Sequence, residues 1–344
     1  MEKFRGKIFN PTVWEKYMKT LPSTKENSLI NNGLFTVVNK YKSKMSEQAG
    51  GYFVTEPIKG RIGGTPVNYD GNTNIPDGAE RDTFYQTKIC YGRAMSWGEY
   101  DFASEITGEN FKAEAQEVKE YWDERRQEVV LAILKGIFGM TGGVNGQFVS
   151  KHTYDITATA NPELSADALN RASQKALGDK KAKLDVIFMH SAVATNLEGL
   201  NLINFLKYTD SEGIERDLTI GTFNGRLVIV DDDMPVTTDS TGEVYTSYVF
   251  KKGFFEFENL GVEVPAETVR DAKTKGGKTE LISRIREMVV PTYISYKTTS
   301  KISPENSDFE DGSNWELVNN AENGDNKVYV DDKLIPVARI ISRG

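Results

Sequence analysis

The chain has 344 residues and a formal net charge of -8, which excludes a general nucleic-acid binder, because such proteins need excess Lys and Arg to displace phosphate counterions. Cys90 is the one cysteine, so neither a disulfide framework nor a thiolate metal cluster can form within one subunit, and a reducing compartment is the simpler expectation. No run of apolar residues is long enough for a membrane-spanning helix and no apolar core follows Met1, so a soluble chain without a standard secretion signal is expected, with length for one large domain or two to three lobes.

The charge is uneven. Met1 to Lys44 holds nine Lys or Arg against three Glu, a basic arm on an acidic body, and Trp14, Tyr17 and Phe35 make that arm ready to pack on protein. From Gln48 to about Arg93 no helical period exists. Glycines and prolines alternate with aromatics, and strand-like pieces at 51–59 and 84–91 bracket a turn-rich tip, a long two-stranded excursion too extended for a connector within a compact domain. Support from outside its own subunit is expected.

A helix follows over 109–138, with Phe111, Ala115, Val118, Trp122, Val129, Ala132 and Gly136 on one apolar stripe. Gly142 to Gly146 reads as a break. Ser165 caps a predicted helix to Leu177, a strand runs over 184–189, and a second helix starts near Ser191. With strands at 226–230 and 245–250 this makes an α/β lobe. Two strand-rich arms, 253–267 and 279–291, form a long hairpin around a polar tip, and an acidic last segment ends in a strand over 334–341.

Chemistry is sparse. Asp231, Asp232 and Asp233 end an aliphatic strand and could gather a divalent cation as a metal-dependent enzyme would; the competing reading is an Asx-type turn that Pro235 closes. Gly276 to Thr279 resembles the end of a phosphate-binding loop, but Ala272 stands where that pattern needs glycine and the flanks read as strands. His152, placed in a loop, and His190, at a strand end, fall in no zinc pattern, and His190 is expected to cap or pack. A hydrolase grouping of Ser191, His190 and Asp231 lacks the glycine-flanked elbow.

Taken in order, these parts resemble the major capsid protein of tailed bacteriophages, the Hong Kong ninety-seven type fold that encapsulins share. Gly221 to Pro235 followed by Tyr245 to Gly253 is similar to the strand, acidic Pro turn and strand of the family's axial lobe. Glu267 to Asp271 resembles its peripheral strand, and Asn314 to Glu316 and Lys333 to Val337 resemble its endings. The resemblance implies an α+β fold with an N-terminal arm (1–47), an extended loop (48–99), a peripheral domain with spine helix and β-hairpin (100–165 and 255–299), an α/β axial domain (166–254) and a C-terminal return (300–344). It implies a structural shell protein of the virion, not an enzyme, without cofactors or bound metals. That protein would self-assemble into pentamers and hexamers around phage double-stranded DNA in the host cytoplasm, with scaffolding, portal and decoration proteins as further partners. An encapsulin-like nanocompartment is the alternative. Nothing before the arm resembles the scaffolding extension that some members carry. Inter-subunit contacts are expected at Trp14, Tyr52, Phe53, Lys59, Arg61, Tyr69, Arg126, Asp231, Asp232 and Asp233.

Overall fold

The computed structural model describes residues 3–4, 7–8, 34–47, 51–75, 81–100, 111–209, 215–297 and 301–344. The amino-terminal part contributes β1 (Lys3–Phe4), β2 (Lys7–Ile8), β3 (Phe35–Val37) and α1 (Tyr41–Glu47). Then come β4 (Phe53–Lys59), β5 (Thr83–Ile89), β6 (Tyr91–Tyr100), the long helix α2 (Phe111–Ile137), α3 (Gly143–His152) and β7 (Thr153–Asp155). The middle of the chain gives α4 (Ala166–Leu177), β8 (Val186–Met189), α5 (Ser191–Gly199), β9 (Ile203–Thr209), β10 (Glu215–Phe223), β11 (Arg226–Val230), β12 (Val236–Asp239) and β13 (Gly242–Phe250). Last are β14 (Phe255–Asn259), β15 (Ala266–Asp271), β16 (Lys278–Pro291), β17 (Ile294–Tyr296), α6 (Asn306–Glu310), β18 (Trp315–Leu317) and β19 (Val337–Ser342).

A mixed sheet runs in the order β7-β19-β13-β8-β11-β10-β9, with β12 beside β13. Its central strand β8 is buried at all four residues, as a strand covered on both faces must be. Ile187 and Met189 join a core with α4 and α5, while Val186 and Phe188 join a second core built on the end of α2. The predicted lobe is therefore present, and its helices start where local chemistry says. The Ser165 hydroxyl accepts from the Ala168 N–H at 3.2 Å, and His190 Nδ1 accepts from the Ala192 N–H at 3.1 Å.

A second sheet is built on β16. On one edge β16 pairs with β15 and then β14, which pairs in turn with β3, and on the other edge with β6 over ten residues. Sheet pairing thus begins inside the stretch 48–99 expected to be loop, and β7, within 100–165, pairs with β19 of the large sheet.

Helix α2 joins the sheets, and it is buried differently along its length. Its first half presents the expected stripe: Val118 and Trp122 are buried against β16, and Trp122 Nε1 donates to the Ser283 hydroxyl at 2.9 Å. From Val129 to Phe138 every residue except Lys135 is buried, so here the single stripe gives way to burial all round. The reason is the apolar run 129–134, which meets the large sheet on one side and the segment 306–318 on another. Gly136 makes the second contact possible. A Cβ there would lie 1.9 Å from the Phe309 carbonyl oxygen and 2.5 Å from Trp315 Nε1, and that indole donates to the same carbonyl at 2.7 Å.

The break expected at 142–146 is instead the start of α3. Gly142 takes φ 77° as its N-cap, a conformation that costs glycine nothing, and burial of Phe148 and His152 holds a helix that two glycines would otherwise weaken. His152 therefore sits in the last turn of a helix, not in a loop. Its ring lies on Phe148 with centroids 4.3 Å apart, Nδ1 meets the Val337 carbonyl at 2.6 Å, and Nε2 is enclosed without a partner.

Arg126 anchors the first half of α2. Its guanidinium donates to both oxygens of Glu287, at 2.9 and 2.6 Å, and to Asp123 at 2.5 Å, while the Tyr91 hydroxyl adds a bond to Glu287 at 3.1 Å. Glu287 is fully buried. Burial opposes the charge on Arg126, but the Glu287 carboxylate outweighs it and holds the guanidinium protonated.

Three outcomes follow from this packing. Alanine in place of glycine normally strengthens a helix by up to about 1 kcal/mol, yet Gly136→Ala is expected to lower stability by about 2 kcal/mol through overpacking, read as a lower urea midpoint. Arg126→Met is expected to cost about 3–5 kcal/mol because it strands Glu287. Adding Glu287→Gln should recover much of that loss in a double-mutant cycle, and equal losses in both variants would contradict the buried pairing. Burial lowers the His152 pKa below its ordinary 6.5, so the unfolded chain takes up the proton first and stability falls as pH drops below about 6.5. Between pH 7.5 and 5 the thermal midpoint of the wild type should therefore fall a few degrees further than that of His152→Gln.

Candidate inter-subunit surfaces

Strands β4 and β5 pair antiparallel from Phe53 opposite Ile89 to Lys59 opposite Thr83, the two-stranded excursion the sequence predicts. Its neck closes where the Gly60 N–H donates to the Asp82 carbonyl at 2.7 Å and Arg81 Nε to the Gly60 carbonyl at 2.5 Å. No side chain fits at Gly60, where a Cβ would be 2.9 Å from both the Asp82 oxygen and the Phe84 ring. Beyond the neck every residue from 61 to 75 is exposed and none is in a strand or helix. Ile62, Tyr69 and Ile75 are 83%, 91% and 77% exposed, with a local turn at Asp70, whose Oδ1 accepts from the Asn72 and Thr73 N–H groups. Lys59, Arg61 and Tyr69 thus share one projection. Tyr52 and Phe53 lie at its root, half-buried and edge to face at 5.3 Å. Trp14 lies outside the described residues.

The root of the projection carries a charge cluster that sequence reasoning missed. Lys88, 4% exposed, sits between Glu56 of β4 and Glu256 of β14, at 2.9 Å from each. It also donates to the Tyr41 hydroxyl of α1, which itself reaches Glu256 at 2.6 Å and Glu56 at 3.1 Å. Lys44 closes the rim at 2.5 Å from Glu56. Burial pushes the Glu56 carboxyl up, but the hydrogen bonds from Lys44 and Lys88 outweigh it and hold it down at about 2. Burial also raises the Tyr41 hydroxyl, reinforced by Glu256, so it stays a donor. Nearby, the buried Glu258 accepts from the N–H groups of Lys40, Tyr41 and Lys42 at 2.8 to 3.0 Å, satisfying the orphan amides at the start of α1. The one available sign was a lysine on the same face of β5 as Phe84 and Gln86; its acidic partner on β14 is 168 residues away.

Arg126, the remaining cation expected at an interface, is spent inside the subunit as described above and is 13% exposed. The aspartates occupy the turn after β11. Asp231 Oδ1 accepts from the Asp233 N–H at 2.8 Å, the Asx turn of the simpler reading, and Met234 behind it is 2% exposed. Asp231 Oδ2 is enclosed without a partner, and burial raises its carboxyl above the usual range. The Asp232 side chain is 76% exposed and stands 3.8 Å from His190 Nε2. Among the described residues no three His, Cys, Asp or Glu side chains are grouped to hold a metal ion. Gly276 and Gly277 lie in the tip between β15 and β16, a strand-to-strand turn and not the strand-to-helix turn of a phosphate loop.

No family model matches the chain. It is 28% identical over 316 residues to the major capsid protein of Bacillus phage SPP1, an alignment that covers 90% of this chain and 91% of that protein. Its fold is shared with the capsid asymmetric unit of cyanophage Pam1, at TM-score 0.55 and 10% identity over 91% of this chain and 90% of that one. The capsid of Ralstonia phage GP4 gives 0.54 and 9% over 90% and 87%, and Mycobacterium phage Bobi 0.52 and 13% over 94% and 93%. The chain is thus similar over its whole length to a phage major capsid protein, and it has the fold of phage capsid proteins, the Hong Kong ninety-seven type, which supports a structural role in the virion shell.

Proposed function

We propose that the chain self-assembles, by repeated heterologous contacts, into pentamers and hexamers of a closed icosahedral shell around phage double-stranded DNA. The observation that carries this reading is the projection beyond Gly60: fifteen consecutive exposed residues, 61–75, with large apolar side chains that are left exposed by the described residues. A monomer would leave that surface in water, and a neighbouring copy would remove it. The division into arm (1–47), extended loop (48–99), peripheral domain (100–165 and 255–299), axial domain (166–254) and return (300–344) is part of the same reading, and two sheets joined by one helix support it. Inter-subunit contacts then fall on Trp14, Tyr52, Phe53, Lys59, Arg61 and Tyr69, and on the Asp231 to Asp233 turn. Arg126 acts within its subunit by holding α2 in place. Scaffolding, portal and decoration proteins are the further partners, and the acidic body encloses DNA without reading its sequence.

Electron microscopy and light scattering of the purified chain, alone and with a scaffolding protein, test the reading: closed particles are expected, and a chain that stays monomeric under all these conditions overturns it. The combined substitution Ile62→Ser and Tyr69→Ala should leave the chain's own stability within about 0.5 kcal/mol and reduce particle yield strongly. Unchanged yield would remove the projection from the assembly contacts.

A further inference from the structure

Segment 34–47 and the long hairpin meet each other and the second sheet at the charge cluster around Lys88. Its groups come from four elements: Tyr41 and Lys44 from α1, Glu56 and Lys88 from the two strands of the hairpin, and Glu256 from β14. Glu258, two residues along β14, holds the first amides of α1, and β3 pairs in parallel with β14 just before it. We propose that Lys88 is a lock. It fixes the angle between α1 and the hairpin, so that segment 34–47 and the hairpin root form one body on β14, and bending is left to the neck at Gly60 and Asp82.

The two joints differ in what each would lose on opening. Pulling α1 from the hairpin removes the Tyr41 hydroxyl from Lys88 and both carboxylates, and it opens to water a lysine that is 4% exposed. A buried ion that loses a partner without regaining full hydration is strongly disfavoured. The hairpin is also held from its other side, where Gln86 Nε2 donates to the carbonyls of Pro291 and Ile294 and the Tyr85 N–H donates to the Asn319 carbonyl. Those bonds reach β16, β17 and the segment after β18 and do not touch α1, so the coupling between α1 and the hairpin runs through the polar cluster around Lys88, with Lys40 and Lys44 on Glu56 at its rim, and through the apolar packing of Tyr41 and Met45 with Val54 and Cys90; of these, Lys88 and the Tyr41 hydroxyl are the contacts that also tie in Glu256 of β14. Among the described residues the neck, by contrast, is held by one backbone hydrogen bond and the Arg81 contact, and residues 61–75 beyond it are all exposed. In the shell reading the arm and the loop both reach neighbouring copies, and a fixed angle would present them together. That consequence rests on the shell reading; the lock does not.

Spin-label distance measurements on the unassembled full-length chain test the lock. In a Cys90→Ala background, nitroxides at Ser43→Cys and Thr83→Cys span the lock, and nitroxides at Thr83→Cys and Tyr69→Cys span the neck. The wild-type joint should give a narrow 43–83 distribution and a broad 69–83 distribution. The triple variant Lys88→Met, Glu56→Gln, Glu256→Gln removes the charges while keeping the volume; in a chain that still unfolds cooperatively, its 43–83 distribution should at least double in width and its 69–83 distribution should not change. An unchanged 43–83 width in that folded variant overturns the proposal. So does a wild-type 43–83 distribution as broad as the 69–83 one, a result that needs no variant to fold. Failure to form particles would bear on the shell reading and leave these distances untouched.

Discussion

The close approach of α2 to the segment 306–318 is the constraint on which the other packing depends. The carboxyl half of the helix is buried all round, and that is possible because two glycines let backbone meet backbone. Gly136 faces the Phe309 carbonyl, and a Cβ on Gly312 would stand 2.0 Å from the Gly139 oxygen. With that contact made, Tyr91, Tyr296, Phe309 and Trp315 pack as neighbours, with ring centroids 5.0 to 6.1 Å apart and mostly edge to face, an arrangement that aromatic quadrupoles favour. On the opposite side Phe138 stacks on Tyr248 of β13 at 5.5 Å. One helix therefore carries the second sheet near its start and the large sheet at its end, and the relative position of the two sheets is set by its length, about 40 Å for 27 residues.

The charges within this frame are almost wholly committed to one another. Arg126 closes on Glu287, Lys88 on Glu56 and Glu256, Lys135 on Glu310, and Lys151 on Asp332. The first two are buried, and buried pairs seldom add net stability over apolar substitutes, though they penalise wrong arrangements heavily. Their place in this fold matches that expectation. Each sits where segments far apart in sequence must meet in one register: α2 on β16, and α1 with the hairpin on β14.

Much of this architecture was legible because its signals are local. Ser165 before an apolar period, the aliphatic run 226–230 ending at Asp231, and the glycine-rich stretch flanked by two strands each announce themselves within a few residues. The Asx turn at Asp231 and the cap at His190 were readable for the same reason: the side chains that make them bond to backbone two residues away. What escaped was decided at long range. Glycines at 142, 143 and 146 argue locally against a helix, and the buried Phe148 overrides them. No period in 109–138 distinguishes a stripe from all-round burial, because the answer lies in partners from 186–250 and 306–318. The pairing of β9 with β10 was missed although Asp210, Ser211 and Gly213 between them are turn formers, and the Lys88 cluster draws on three segments spread over more than two hundred residues.

Committed charges also bear on what is left for assembly. With Arg126 and Lys88 committed inside the subunit, a neighbour is met chiefly by rim charges and apolar side chains, and exposed ion pairs between subunits are individually weak and screened by salt. Ile62, Tyr69 and Ile75 are then the side chains on the projection with most to gain from leaving water. In the proposed shell Lys59 and Arg61, set beside them, would contribute chiefly to steering and to excluding wrong partners. In the proposed shell the aspartate turn would belong with the steering groups: Asp232 is exposed, whereas Asp231 is half-buried, its carboxyl raised by burial and its Oδ1 held by the Asp233 N–H.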